Sequence, residues 1–194
     1  MPPDHINEAF VEAQLARLQD EYGEVPVDDD IVEVPADDFP EYVRNARDGY
    51  VGSAYAWVTR SPEQAGERSE TYSGPVEDRE RALLILPRGR SEWGVPGGGL
   101  EGEESFEAGA VREVREEAGV DCAVTDLWHV ERRRWRSEDD ADGRVSHTLH
   151  VFFDADYEGG EIAVQEAEVN GAAWFAEAPA RLMEKTAMRA DSYF

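Results

Sequence analysis

The sequence predicts an α+β fold, a mixed β-sheet sandwiched between helices and preceded by an N-terminal helical extension. Three stretches carry that prediction. The hydropathy period switches to two at Tyr50, residues 82–86 form a short unbroken apolar run, and residues 105–118 place apolar side chains at helical spacing. At 194 residues and 41% hydrophobic, the chain suffices for one packed domain and a short added segment.

Residues 7–22 carry Phe10, Leu15 and Leu18 on a helical stripe with acids between them, which predicts an amphipathic helix. The acidic stretch 24–30 reads as a connector. A second short helix is expected over 39–46, with Asp37 or Asp38 as cap, Pro40 in the first turn and Asp48-Gly49 closing it. Residues 1–49 are therefore read as the extension and 50–194 as the main domain. From Tyr50, Val51, Ser53, Tyr55 and Trp57 alternate with Gly52, Ala54, Ala56 and Val58, the pattern of a strand. Residues 61–78 are polar and read as a long loop or irregular hairpin. The run 82–86 suits a strand buried on both faces, and 93–99 (WGVPGGG) a tight backbone loop. After the helix 105–118, ended by Gly119, strands are expected at 123–136 and 147–155 with an acidic turn at 137–143 between them. A last strand at 172–175 and a helix from Pro179 to about Arg189 complete the pattern.

Acidic residues outnumber basic ones 44 to 19, a formal net charge of −25. Such a surface repels polyphosphate chains and anionic membranes at long range, so neither nucleic acid nor membrane is expected as a partner. No apolar run approaches a membrane span, Met1-Pro2-Pro3-Asp4 does not open like a signal peptide, and a cytoplasmic location is expected. Cys122 is the only cysteine, which excludes an intrachain disulfide and a thiolate zinc cage; it reads as a small buried residue. Lys185 is the only lysine. An acid excess with almost no lysine resembles proteins of salt-accumulating, halophilic cytoplasms, where ionic strength screens self-repulsion. The alternative is an acidic surface with no special habitat.

The chemistry concentrates in residues 97–120, GGGLEGEESFEAGAVREVREEAGV. On a helix, Glu113 and Glu117 lie about 40° apart and Glu116 about 60° to the other side, so the three share one face. Carboxylates this close repel one another, so either solvent and salt screen them or a divalent cation sits among them. Their hard oxygens suit magnesium, manganese or calcium. The opposite face supplies Phe106, Ala110, Val114 and Ala118 for packing. The glycines just before the helix allow close backbone approach to a metal or a phosphate.

This segment resembles the signature of the Nudix hydrolases: Gly98, five residues, Glu104, seven residues, then Arg112-Glu113-Val114-Arg115-Glu116-Glu117-Ala118-Gly119-Val120. The flanking Trp93-Gly94-Val95-Pro96-Gly97 and the distal Glu168-Val169 and Trp174-Phe175 are similar too. In one departure, Glu103 stands where the family commonly has glycine, and the glycine is Gly102. The resemblance implies an α/β/α sandwich with a mixed sheet. It also implies hydrolysis of a pyrophosphate bond in a nucleoside diphosphate linked to another group, with Mg2+ or Mn2+ as cofactor and a small nucleotide as substrate. By position, Glu113 and Glu117 resemble metal ligands, with Glu116 as a third and the Gly97 carbonyl as a backbone ligand. Arg112 would hold box glutamates in place, Glu104 among them. The general base is a box glutamate or a later acid, for which Glu166 and Glu168 are candidates, a solvated loop being the other reading of both.

The rival reading is a catalytically inactive nucleotide-binding or regulatory module of the same fold. Such modules usually lose box glutamates, whereas Glu104, Glu113, Glu116 and Glu117 are all present. Residues 1–49 have no counterpart in the minimal domain and read as a packing helix, a homodimer arm or a substrate lid. Arg88, Arg90, Arg134 and Trp135 are substrate-binding candidates: arginines clamp phosphates and Trp135 can stack on a base. For the run 132–136 an equally good reading is a solvent-facing edge strand. His5, His129, His147 and His150 show no metal-ligand spacing and read as ordinary strand residues. The proline that marks ADP-ribose hydrolases of the family is missing at 134–136, and no motif resembling that of the NADH-cleaving members occurs. Nucleoside triphosphates, nucleotide sugars and dinucleoside polyphosphates stay open.

The charge reading makes a first prediction. The melting temperature in molar KCl should exceed that in dilute buffer; equal melting in both would remove the halophilic reading.

Overall fold

The computed structural model describes residues 3–66, 79–139 and 143–194. In chain order the elements are β1 (Asp4–His5), α1 (Glu8–Tyr22), β2 (Val27–Val34), α2 (Phe39–Arg47), β3 (Gly52–Arg60), α3 (Pro62–Gly66) and β4 (Arg81–Pro87). They continue with β5 (Gly97–Gly99), α4 (Phe106–Ala118), β6 (Val120–Ser137), β7 (Arg144–Gly160), β8 (Val169–Phe175) and α5 (Glu184–Tyr193). The architecture is α+β with a mixed sheet, as expected. No helix among the described residues is long and apolar enough to cross a membrane.

The chain divides into two compact units. The first comprises Met1–Ala54, Gly98–Gly109 and Asp126–Phe153. In it α1 buries Val11, Leu15 and Leu18, while Phe10 is 49% exposed. The stripe thus starts one residue later than expected, because steps of four and three from Val11 stay on one face and a step of five from Phe10 does not. The expected acidic connector is a strand. β2 pairs parallel with β6, placing Asp29 opposite Arg132 and Glu33 opposite Arg136. Arg132 donates to both Asp29 oxygens at 2.6 and 2.9 Å and to Glu12 at 2.5 Å, and Arg136 donates to Glu33. Cross-strand neutralisation explains how so acidic a stretch enters a sheet. The run 132–136 is therefore paired along this side rather than a solvent-facing edge. α2 buries Phe39, Val43 and Ala46 as its spacing requires, and with Val34, Ile6, Tyr42 and Trp135 two of these build a local core. The start of β3 lies beside β7, where Leu149 N–H donates to Val51 O at 2.8 Å. Glu107, in the first turn of α4, accepts two hydrogen bonds from Arg17 of α1 at 2.9 and 3.2 Å.

The second unit comprises Tyr55–Gly97, Ala110–Thr125 and Asp154–Phe194. Here β4 pairs antiparallel with the end of β3 and with β8, and Ala82, Leu83, Leu84 and Ile85 are all buried, as the unbroken apolar run predicts. Trp57 is fully buried, with Tyr193 and Phe194 set edge-on to it at 5.3 and 5.9 Å. Part of the expected loop 61–78 is the short helix α3, and residues 67–78 lie outside the described residues. Its start has a reciprocal cap: Ser61 N–H donates to Gln64 Oε1 at 2.8 Å and Gln64 N–H to Ser61 Oγ at 3.3 Å. That Ser-Pro-Glu-Gln signature was readable in the sequence. Residues 140–142 of the expected acidic turn also lie outside the described residues. The last helix begins at Glu184 rather than Pro179. Trp93 holds the preceding segment extended, donating to Arg181 O at 3.0 Å and accepting from Met183 N–H at 2.9 Å.

α4 has the expected division of faces, burying Phe106, Ala110, Val114 and Ala118. Gly119 ends it at φ +72°, its N–H donating to Arg115 O at 2.9 Å. A Cβ built there would stand 2.7 Å from Glu161 O and 2.8 Å from Ala163 Cβ. Gly119→Ala should therefore lower stability by at least about 1–3 kcal/mol, read by denaturant unfolding; wild-type stability would show that the turn relaxes freely.

Candidate active site

Helical spacing sets Glu113, Glu116 and Glu117 on one side of α4, and the second unit supplies what meets them. Glu117 is 7% exposed, and its Oε2 accepts a 2.8 Å hydrogen bond from Gly97 N–H. The glycine loop that offers this donor is tied down on several sides. Gly94 and Ile85 exchange backbone hydrogen bonds at 2.9 Å, and Ala56 N–H donates to Pro96 O at 3.0 Å. Val95 N–H donates to Thr186 Oγ1 at 3.1 Å, and the Trp93 ring sits edge-on to Phe175 at 4.9 Å. Arg112 Nη1 donates to Glu113 Oε1 and to Glu116 Oε2, each at 3.0 Å. One guanidinium thus orients two carboxylates of the same helix.

Burial pushes the Glu117 carboxyl up to about 7, against the Gly97 N–H and with help from the charges of Glu113, Glu168 and Glu116. Burial also raises Glu113 above its ordinary value, opposed by Arg112 and reinforced by Glu116 and Glu168. Glu168 thus stands close enough to act on both. It closes a turn in which Glu168 N–H donates to Gln165 O at 3.0 Å, and its own carbonyl accepts from Arg88 N–H at 2.7 Å. The Arg88 guanidinium donates to the Glu166 carbonyl. Arg90 is exposed on the same turn as Arg88, its N–H donating to Pro87 O at 3.1 Å. Arg88, Arg90, Gly97, Arg112, Glu113, Glu116, Glu117, Glu166 and Glu168 all belong to the second unit. Its acidic donors are all oxygen, a set that fits a hard divalent ion such as magnesium or manganese.

The other candidates belong to the first unit. Glu104 Oε1 accepts from Glu101 N–H at 2.6 Å while Glu104 N–H donates to Glu101 O at 3.2 Å. Gly102 takes the left-handed φ of +55° inside that turn, so the displaced glycine still serves the bend. Trp135 stacks on Tyr42 at 4.7 Å, donates to Thr148 Oγ1 at 2.8 Å and lines a cavity of about 460 Å3 with Asn45 and Ser146. Arg134 shares its strand face with the paired Arg132 and Arg136. In the second unit, Cys122 is buried, which pushes its thiol up to about 12. The sequence reading missed one juxtaposition: His5 and His147 face each other at 2.8 Å, a contact between residues too distant in the chain for spacing to reveal.

Residues 69–193 match the NUDIX domain, and the chain belongs to that family. It is 39% identical over 105 residues to the NAD-capped RNA hydrolase NudC of Pseudomonas aeruginosa, covering 48% of this chain and 34% of that one. It is 31% identical over 148 residues to the putative mutator protein MutT4 of Mycobacterium tuberculosis, covering 64% and 55%. This chain thus spans about a third to about half of the length of those relatives. A solved MutT NUDIX hydrolase from Burkholderia pseudomallei aligns at 22% identity with a TM-score of 0.47, over 74% of this chain and 98% of that one.

The raised carboxyl of Glu117 has a defined sign. A folded-state value above the ordinary one favours the protonated folded protein. Its contribution is complete below the usual carboxylate range and is lost as pH rises through about 7. With chelator present, Glu117→Gln should remove a stability loss on the order of 3 kcal/mol between about pH 5 and about pH 8. Parallel pH profiles of wild type and variant would contradict this.

Proposed function

We propose that this protein hydrolyses a pyrophosphate bond in a nucleoside diphosphate derivative, using a divalent metal ion held by the box carboxylates. The observation that carries the reading is the pair of half-buried Glu113 and buried Glu117, fixed by Arg112 and by Gly97 N–H inside the family signature. Glu113 and Glu117, with Glu116 and the Gly97 carbonyl, would hold magnesium or manganese. A bound ion would supply charge neutralisation at the phosphates and a water of lowered pKa. Arg112 would orient Glu113 and Glu116 toward the metal. Glu168, whose charge acts on both Glu113 and Glu117, is the candidate to take a proton from the attacking water, with Glu166 as the alternative. Arg88 and Arg90 offer positive charge to phosphate oxygens from the turn beside Glu166 and Glu168. Glu104 supports the glycine turn.

We read residues 50–194 as the hydrolase domain, residues 1–49 as its extension, and the acid-rich, lysine-poor surface as an adaptation to a salt-rich cytoplasm. Similarity to a protein named as an NAD-capped RNA hydrolase adds dinucleotide caps to the substrates worth assaying.

The test is phosphate or nucleotide release from nucleoside triphosphates, nucleotide sugars, dinucleoside polyphosphates, NADH and NAD-capped RNA, with magnesium and then with chelator. Metal-dependent turnover of one of them is expected, and Glu117→Gln should lower kcat by roughly 100-fold or more with the fold intact. Near-normal turnover in that variant would remove Glu117 from the metal site, and no turnover of any substrate would favour a binding module.

A further inference from the structure

Chemistry also gathers at the N-terminus of the first unit, in residues that the box does not use. β1 runs parallel to the start of β7, with Asp4 N–H donating to Gly143 O at 2.7 Å and Ile6 N–H to Val145 O at 2.9 Å. The next residue, Asn7, grips the backbone of His147 in both directions. Its Nδ2 donates to the His147 carbonyl at 2.9 Å and its Oδ1 accepts from the His147 N–H at 2.8 Å. This buried clamp fixes His147 and sets the residues on either side of Asn7 against it. His5 Nδ1 lies 2.8 Å from His147 Nε2 and 3.3 Å from Glu8 Oε1. One nitrogen or oxygen from each of the three side chains falls within 4.8 Å of the others.

Two neutral imidazoles facing through one nitrogen each share a single hydrogen. The remaining nitrogen of His147, Nδ1, is buried without a hydrogen-bond partner, in a residue that is 2% exposed. Two imidazoles and one carboxylate, with water in the fourth place, form the donor set of a tetrahedral zinc-type ion, whereas magnesium prefers oxygen throughout. Ligand atoms around such an ion stand about 3.3 Å apart when bonds are about 2.0–2.1 Å. The His5–Glu8 spacing already fits, the His5–His147 contact needs to open by about half an ångström, and Glu8, within 4.8 Å of His147, has to draw closer to it. His5 and Glu8, 29% and 48% exposed at the side chain, have room to do so while Asn7 holds His147.

We propose that His5, Glu8 and His147 form a second metal site, selective for zinc or a similar transition ion, that pins β1 and the start of α1 to β7. The test uses the full chain carrying Glu113→Gln and Glu117→Gln, so that the box carboxylates do not compete and hydrolysis plays no part in the readout. Cobalt, followed by visible absorption, should bind at one equivalent with the intense spectrum of a four-coordinate ion and be displaced by zinc. His5→Ala, and separately Glu8→Ala, should weaken binding by more than roughly 100-fold, with circular dichroism unchanged because both side chains are partly exposed. Zinc should also raise the melting temperature of the His5 parent and not of the His5→Ala variant. A weak octahedral spectrum, or binding that survives His5→Ala, would overturn the site.

Discussion

A carboxylate buried to within 7% of full exclusion is the constraint around which the candidate active site is arranged. Glu117 needs a donor, a backbone N–H supplies it, and that N–H belongs to a loop held by β4, by the segment before α5 and by Ala56 of β3. Any of these contacts could be written as a packing detail. Together they keep one hydrogen bond in place. The aromatic contact of Trp93 with Phe175 and the bond from Val95 to Thr186 belong to the same support, since both restrain the backbone leading to Gly97. Arg112 performs the matching task on the helix side, where Glu113 and Glu116 would otherwise repel each other and Glu117.

Much of the fold was legible because its signals are local. α4 declares itself through apolar residues every fourth position and a glycine stop, and β4 through four consecutive buried residues. What escaped depends on partners remote in the chain. An aspartate-rich stretch has poor strand propensity by itself; β2 exists because arginines of β6 stand opposite its acids, about a hundred residues further on. α5 starts late because Trp93 holds residues 181–183 extended, which no property of those residues announces. The misplaced stripe on α1 and the overlooked cap on α3 are different: both were local, and closer attention to step size and to Ser61-x-x-Gln64 recovers them.

The candidate site shows the same contrast. The box is contiguous, so its spacing alone grouped three glutamates and an arginine on one stretch of helix. The bond between Arg88 and the Glu166 carbonyl joins two loops that the sequence suggested only as separate candidates. His5 and His147 had no legible relation at all, since register, not sequence separation, brings them face to face.

The pairing of β2 with β6 bears on how this protein can be trimmed. A minimal fragment cut near residue 49 would retain the family signature and lose the strand that lies along Arg132 and Arg136. Arg132 and Arg136 would then face water without Glu12, Asp29 and Glu33, next to a row of vacant amide and carbonyl groups. In a molecule otherwise covered in carboxylates, such a border is a ready template for the acidic segment of a foreign chain. β2 keeps that border covered.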